Sequence, residues 1–462
     1  MSQKLSNLGL EEIRTISSSE PRWLQDYRMD SLLAYNKLPI ETSPLYNKYT
    51  DAKRMDPDQV ILDGGTSTET IQIPAFLERR LAELEGETAI IQIGTSTMRI
   101  NNNCTSEGVI LSSVRDAVGD DHTRRALESS SPVDDKFAAL NNAAFNSGSF
   151  VYVPDNTELE SPIYLLVCLP EDGLSVISRN IITIGRASKA TIVQEMYSPK
   201  SDAQQAYLEL LNTTAGEGSQ LDITTLQMLD QSAVNFSTRQ TSLAQDASVN
   251  WYSGLFGAML SRYRIDYYLR GTGASANDSE VVFGNNEQSF DIQTNVNHES
   301  PATEGRVVEK SILRDRSKSL FKGMIRIMEN AAKSNSFLSG RSILLDPDAK
   351  SDAIPGLEIF TNDVKATHSA SVAQIDEEQI FYLKSRCLSH EEAERTIVEG
   401  FLEPLSRKMS YQVRAWIAYL IESKWEGREL GINTDEELAK FVEVEETRYN
   451  EDVEIEQHYK YR

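Results

Sequence analysis

The chain has 462 residues, 40% of them hydrophobic, and a formal net charge of −24 at pH 7. That length suits two or three domains with a substantial core, and the acidity disfavours nucleic acid and anionic membrane surfaces as partners. No apolar run approaches the roughly eighteen residues that cross a bilayer, and the opening MSQKLSNLGLEEIRT lacks the basic-then-apolar pattern of a secretory signal, so a soluble, cytoplasmic protein is expected.

Residues 1–147 read as an N-terminal helical and mixed α/β region. Ser19 ahead of Glu20-Pro21 predicts a capped helix start with proline in the first turn. Trp23, Leu24, Tyr27, Ser31 and Tyr35 then fall on one helical face. Further on, the pattern predicts a helix around Ile73 to Glu85, strands at Thr88 to Ile93 and Gly108 to Leu111, and a helix after Ser113.

Between 148 and 375 the character changes to short extended runs such as Phe150-Val151-Tyr152-Val153, Ile163 to Val167 and Ile181 to Ile184. A small residue followed by serine precedes several of them: Ala187-Ser188, Gly218-Ser219, Ala247-Ser248 and Ala274-Ser275, about 30 residues apart. Repeats of this period without helical interludes point to a β-helix, whose turns bury their apolar face only by stacking on one another. A β-sandwich with irregular turns is the other reading the repeat allows.

Residues 376–442 are predicted helical. Asp376 with Gln379 and Ser389 with Glu392 fit the capping box. Ala393, Ile397, Val398, Phe401 and Leu405 form one buried stripe, with Pro404 ending or kinking the helix. Met409, Val413, Trp416, Ile417, Leu420 and Ile421 form the next, and Thr434 with Glu437 caps a third helix. The acidic stretch 443–462 reads as a solvated tail.

The inventory of chemistry is short. Cys104, Cys168 and Cys387 are scattered, without the close spacing of a metal site or the even count of a disulfide framework. A permanently bound iron–sulfur centre takes about four thiolates, which no local motif here supplies. There is no phosphate-cradling G-x-x-x-x-G-K-[ST] loop, no H-E-x-x-H and no dinucleotide fingerprint. Of the five histidines, His390 and His458 lie in polar surroundings and read as surface residues, while His368 stands just before the change from strands to helices.

Three segments resemble the SufB/SufD family of iron–sulfur cluster assembly scaffolds: EPRWLQDYRMDSLLAYNKLP, DKFAALNNAAFNSGSFVYVPDNTELESPIYLL and, at greatest length, LEIFTNDVKATHSASVAQIDEEQIFYLKSRCLSHEEAERTIVEGFLEPL. The resemblance implies a mainly β fold, a right-handed parallel β-helix core flanked by N-terminal α/β and C-terminal α-helical segments. It implies a scaffold rather than an enzyme, pairing with a SufB-like subunit through the β-helix and docking a SufC-type ATPase through the C-terminal helices, with no permanently bound cofactor. Phe401, Leu402 and Trp416 are candidate contacts for that ATPase, since aromatic anchors dominate interface energy.

Departures from the family pattern sort the branch. Lys333 to Ser342 holds no cysteine where SufB proteins carry one, Ser369 stands where they have glutamate, Ala366 where some SufD proteins have cysteine, and Cys387 where glycine is usual. The chain therefore resembles the SufD branch, in which the histidine at the position of His368 faces the SufB partner and is implicated in forming the nascent cluster. Neutral imidazole is a competent iron ligand beside a thiolate from another chain. His298 matches a histidine of the family core and reads as structural. Two alternatives stay open: a β-helix carbohydrate-active enzyme, which would carry a carboxylate cluster on the solenoid face, and a self-pairing scaffold without chemistry of its own.

Overall fold

The structure, a computed structural model, describes residues 3–41, 46, 52–62, 73–119, 123–125, 127, 135–170, 173–406, 409–428, 430 and 440–448. From Val176 onward the chain alternates between two sheets, each strand pairing in parallel with the next but one, so that every turn of the chain adds one strand to each sheet. The result is a parallel β-helix of about eight turns. Its ladders explain the sequence period: Ser248, Ser275, Glu304, Asn335 and Lys365 are stacked register partners.

The small-residue-plus-serine signature is the turn that enters the ten-stranded sheet. Ala187, Gly218, Asp246, Gly273, Ala302 and Lys333 all adopt positive φ immediately before its strands. Where a buried hydroxyl follows, it satisfies a carbonyl turned inward by the bend, as in Ser188 Oγ to Pro154 O at 2.6 Å and Ser219 Oγ to Gly216 O at 2.7 Å. Ala247 and Ala274 fill the equivalent position of the next two turns, and their serines begin the strands. Side chains alternate inward and outward along each strand. Ile192, Ile223, Trp251, Val307 and Leu338 stack on one inward ladder as part of the continuous core.

N-terminal helices α1 (Leu10–Ile16), α2 (Arg22–Lys37), α3 (Glu78–Glu83), α4 (Val114–Ala117) and α5 (Lys136–Ala144) cover the start of the solenoid. Helix α2 is not capped by Ser19. Its N-cap is Pro21 without a side-chain bond, and the neighbouring Glu20 instead takes the buried Arg28 guanidinium at 2.7 Å on each oxygen. The buried stripe is Leu24, Arg28 and Leu32, which leaves Trp23, Tyr27 and Tyr35 half-buried at its flanks. The helix expected around Ile73 to Glu85 is shorter, a 3-10 turn Ala75–Leu77 leading into α3. Strand Thr88–Ile93 lies where predicted, paired with an unpredicted antiparallel strand Ser96–Asn101, and the next strand is shifted to Ile110–Ser113.

At the other end come α6 (Glu377–Lys384), α7 (His390–Ser406) and α8 (Tyr411–Trp425), with residues 440–448 again helical. The Ser389 box closes both ways, Ser389 N to Glu392 Oε2 at 2.7 Å and Glu392 N to Ser389 Oγ at 3.1 Å. At Asp376 only half forms, and the bond comes from Glu378 N rather than Gln379. Pro404 sits two residues before α7 ends. Among the described residues no helix is long and apolar enough to cross a membrane. The Thr434/Glu437 cap, residues 449–462, His122 and His458 lie outside the described residues.

Candidate functional site

Among the described residues no strand covers the end of the solenoid. Strands Lys350–Ile359 and Lys365–Gln374 are the last of their sheets, each hydrogen-bonded on one side only. Both edges are ten residues long, and bare edges of that length are templates for pairing with another chain. Pro355 suits such an edge, since it has no N–H to give a further ladder. Apolar side chains are exposed around this end: Ile359, Phe360, Val372 and, on α6, Phe381 at 75% and Tyr382 at 57%.

His368 occupies the last position of an inward ladder. Stacked behind it are Leu338, Val307, Asp278 and Trp251, all buried. The imidazole is exposed because the stack ends there, and among the described residues it has no hydrogen-bond partner. Two positions along the strand, the parallel ladder ends Ser253, Glu280, Glu309, Gly340, Ala370. A Cβ at Gly340 would come within 2.4 Å of the Phe321 ring, so glycine here lets that ring close the interior just behind the mouth.

Deeper inside lies a polar network that sequence reasoning missed. Arg239 and Glu209 form an ion pair at 3.3 Å with neither side chain exposed. Arg239 also donates to Thr225 Oγ1 at 3.0 Å and Gln194 Oε1 at 3.1 Å, and its guanidinium lies 5.0 Å from the Trp251 ring centre and 4.9 Å from that of Tyr263. Nearer the mouth, Tyr267 donates to Asp278 at 2.8 Å and Thr294 to Glu280 at 2.6 Å. Burial holds both carboxyls well above the usual carboxylate range, and the Asp278 charge pushes Glu280 further. Burial also raises Glu309 to about 8.

A carboxyl that keeps its proton in the fold but loses it when unfolded makes stability fall with rising pH. For Glu309 the contribution is complete below its ordinary value of 4.5 and is lost as pH rises through about 8. Glu309→Gln should therefore match the parent chain near pH 5 and exceed it by on the order of a few kcal/mol above pH 8. Denaturant unfolding at the two pH values measures this, and a difference independent of pH would contradict it.

The other candidates are placed as follows. His298 is fully buried, with Nδ1 2.7 Å from Thr303 Oγ1, and burial lowers its pKa to about 4, so it is a neutral core imidazole. A Cβ at Gly305 would stand 2.6 Å from Val296 Cγ1 and 3.0 Å from His298 Nε2, which explains the glycine there. His390 is exposed at the start of α7, 3.2 Å from Glu394. Cys168 is buried, Cys104 half-buried and Cys387 exposed, and no group of three or more metal-binding side chains occurs among the described residues.

Helices α7 and α8 lie on the outer face of the ten-stranded sheet. Leu402 is buried there, and Phe401 and Trp416 are half-buried beside it. The solenoid holds the helices through cations. Lys310 donates to the Phe401 carbonyl, and Arg314 to that of Trp425 at 3.3 Å. The buried Lys424 ammonium donates to Phe256 O at 2.8 Å, Asn285 Oδ1 at 2.5 Å and the Gln288 side chain. Burial lowers Lys424 to about 7.

A parallel β-helix with helical segments at both termini is the fold the sequence resemblance implied, and comparison with known proteins decides the family. Residues 167–401, just over half of the chain, match the family described as SUF system FeS cluster assembly, SufBD core domain. The chain belongs to the SufBD family. Among its relatives are the iron–sulfur cluster assembly SufBD family proteins SSP1857 of Staphylococcus saprophyticus and SAUSA300_0822 of Staphylococcus aureus. Each is 26% identical over 441 residues, covering 91% of this chain and 94% of the relative. The SufBD match ends inside α7, so it takes in the terminal strands and His368.

Proposed function

We propose that this SufBD protein is a SufD-like scaffold subunit, without catalysis of its own, that pairs end to end with a SufB-like subunit and presents its C-terminal helices to a SufC-type ATPase. The observation that carries the reading is the open mouth: two unpaired sheet edges, exposed apolar residues around them, and His368 on the last rung. Neither terminal strand nor Asn335–Leu344 behind them contains a cysteine. In this reading the nascent iron–sulfur cluster is substrate, built at the shared face, with the partner chain supplying thiolates and His368 one nitrogen ligand. A carbohydrate-active reading would need a carboxylate cluster accessible on the solenoid face, whereas Asp278, Glu280 and Glu309 are buried inside the solenoid.

Affinity purification of the chain from its native host tests the pairing. The reading expects recovery of a SufB-like subunit and an ATPase in fixed proportion. Recovery of the chain only as a dimer of itself would replace the heteromeric scaffold with the self-pairing one. Purified apart from partners and offered iron and sulfide, the chain should retain no charge-transfer absorption after desalting, since one imidazole and three scattered thiols do not enclose a cluster. A robust cluster at one per chain would contradict this.

A further inference from the structure

Residues 440–448 form a short helix seated over α7 and α8. The seat is loose. Phe441 meets Tyr419 edge-on with ring centres 6.2 Å apart, and Glu445 approaches the buried Arg414 at 3.9 Å. Beside the helix runs a solvent-open groove of about 710 Å³, lined by Val398, Leu402, Ile417 and Ile421 from α7 and α8 and by Phe441 and Val444 from the short helix. Val444 is 47% exposed. The groove stays open to solvent along the helix, and a helix this short has no stability of its own once removed from its seat. Beneath it, two parallel rows of apolar side chains make a groove of the kind that accepts an amphipathic helix from another protein.

We propose that residues 440–448 are a displaceable strap of this chain, occupying the α7–α8 groove and weakening ATPase docking until they leave it. The inference rests on the docking reading above. Strap displacement uncovers the groove without disturbing the contacts of Lys310, Arg314 and Lys424 that hold α7 and α8 to the solenoid.

The test uses the full chain carrying Phe441→Ser and Glu445→Lys, changes confined to the strap. Hydrogen exchange should show amides 440–448 protected in the parent chain and exchanging at unfolded-chain rates in the variant. Binding of the purified SufC-type ATPase should tighten at least tenfold in the variant. Unprotected strap amides in the parent chain would overturn the inference without reference to any partner. Equal ATPase affinity of the two chains would also overturn it while leaving docking intact. Absence of binding to either chain would overturn the docking reading and this inference with it.

Discussion

Arg239→Ala is expected to cost the fold about 3–5 kcal/mol, the range for removing one partner of a buried ion pair. The pair with Glu209 is sealed inside the solenoid, so the abandoned carboxylate has no water to turn to. The loss also strips donors from Thr225 and Gln194 and removes the cation between Trp251 and Tyr263. By contrast Lys189→Ala, which breaks the exposed pair with Glu158, should cost less than about 1 kcal/mol. Adding Glu209→Gln to Arg239→Ala should recover part of the loss by removing the stranded charge. Chemical denaturation of the variants measures all of these. A loss from Arg239→Ala no larger than that from Lys189→Ala would mean that the pair is hydrated.

The architecture was legible in the sequence because a β-helix writes its turns at a fixed interval. What recurs at each turn is a small or hydroxyl side chain after a residue of positive φ, and at Ser188 and Ser219 the hydroxyl bonds a turn carbonyl. His368 could be placed on the last strand because the pattern of alternation stops and capped helices begin. The polar network could not be read in the same way. Glu209, Arg239 and the pair Asp278 and Glu280 belong to different turns, and only register brings them together. The one signal was spacing: Ser253, Glu280 and Glu309 recur at nearly the period of the repeat and so share a ladder. The misassigned cap at Ser19 has a different cause. Glu20 is held by Arg28, whose burial depends on α5 and its following turn, a tertiary contact that no local rule contains.

His368→Ala should leave the chain folded and paired yet impair cluster formation. The side chain is exposed at the end of its ladder, so truncation opens no cavity, and stability should change by less than about 0.5 kcal/mol. His298→Ala provides the contrast. Its ring is buried and bonded to Thr303, so its loss should cost on the order of 1–3 kcal/mol. The two histidines thus separate a role at the mouth from a role in the core.

The central claim is that the open mouth, with His368 on its last rung, is where this SufBD protein does its work. The most direct measurement is iron–sulfur cluster formation by the co-purified complex carrying His368→Ala, followed by charge-transfer absorbance beside its melting temperature and subunit ratio. The account predicts a several-fold loss of cluster with melting temperature and subunit ratio unchanged. Normal cluster formation, or a complex that falls apart before cluster is lost, would contradict it.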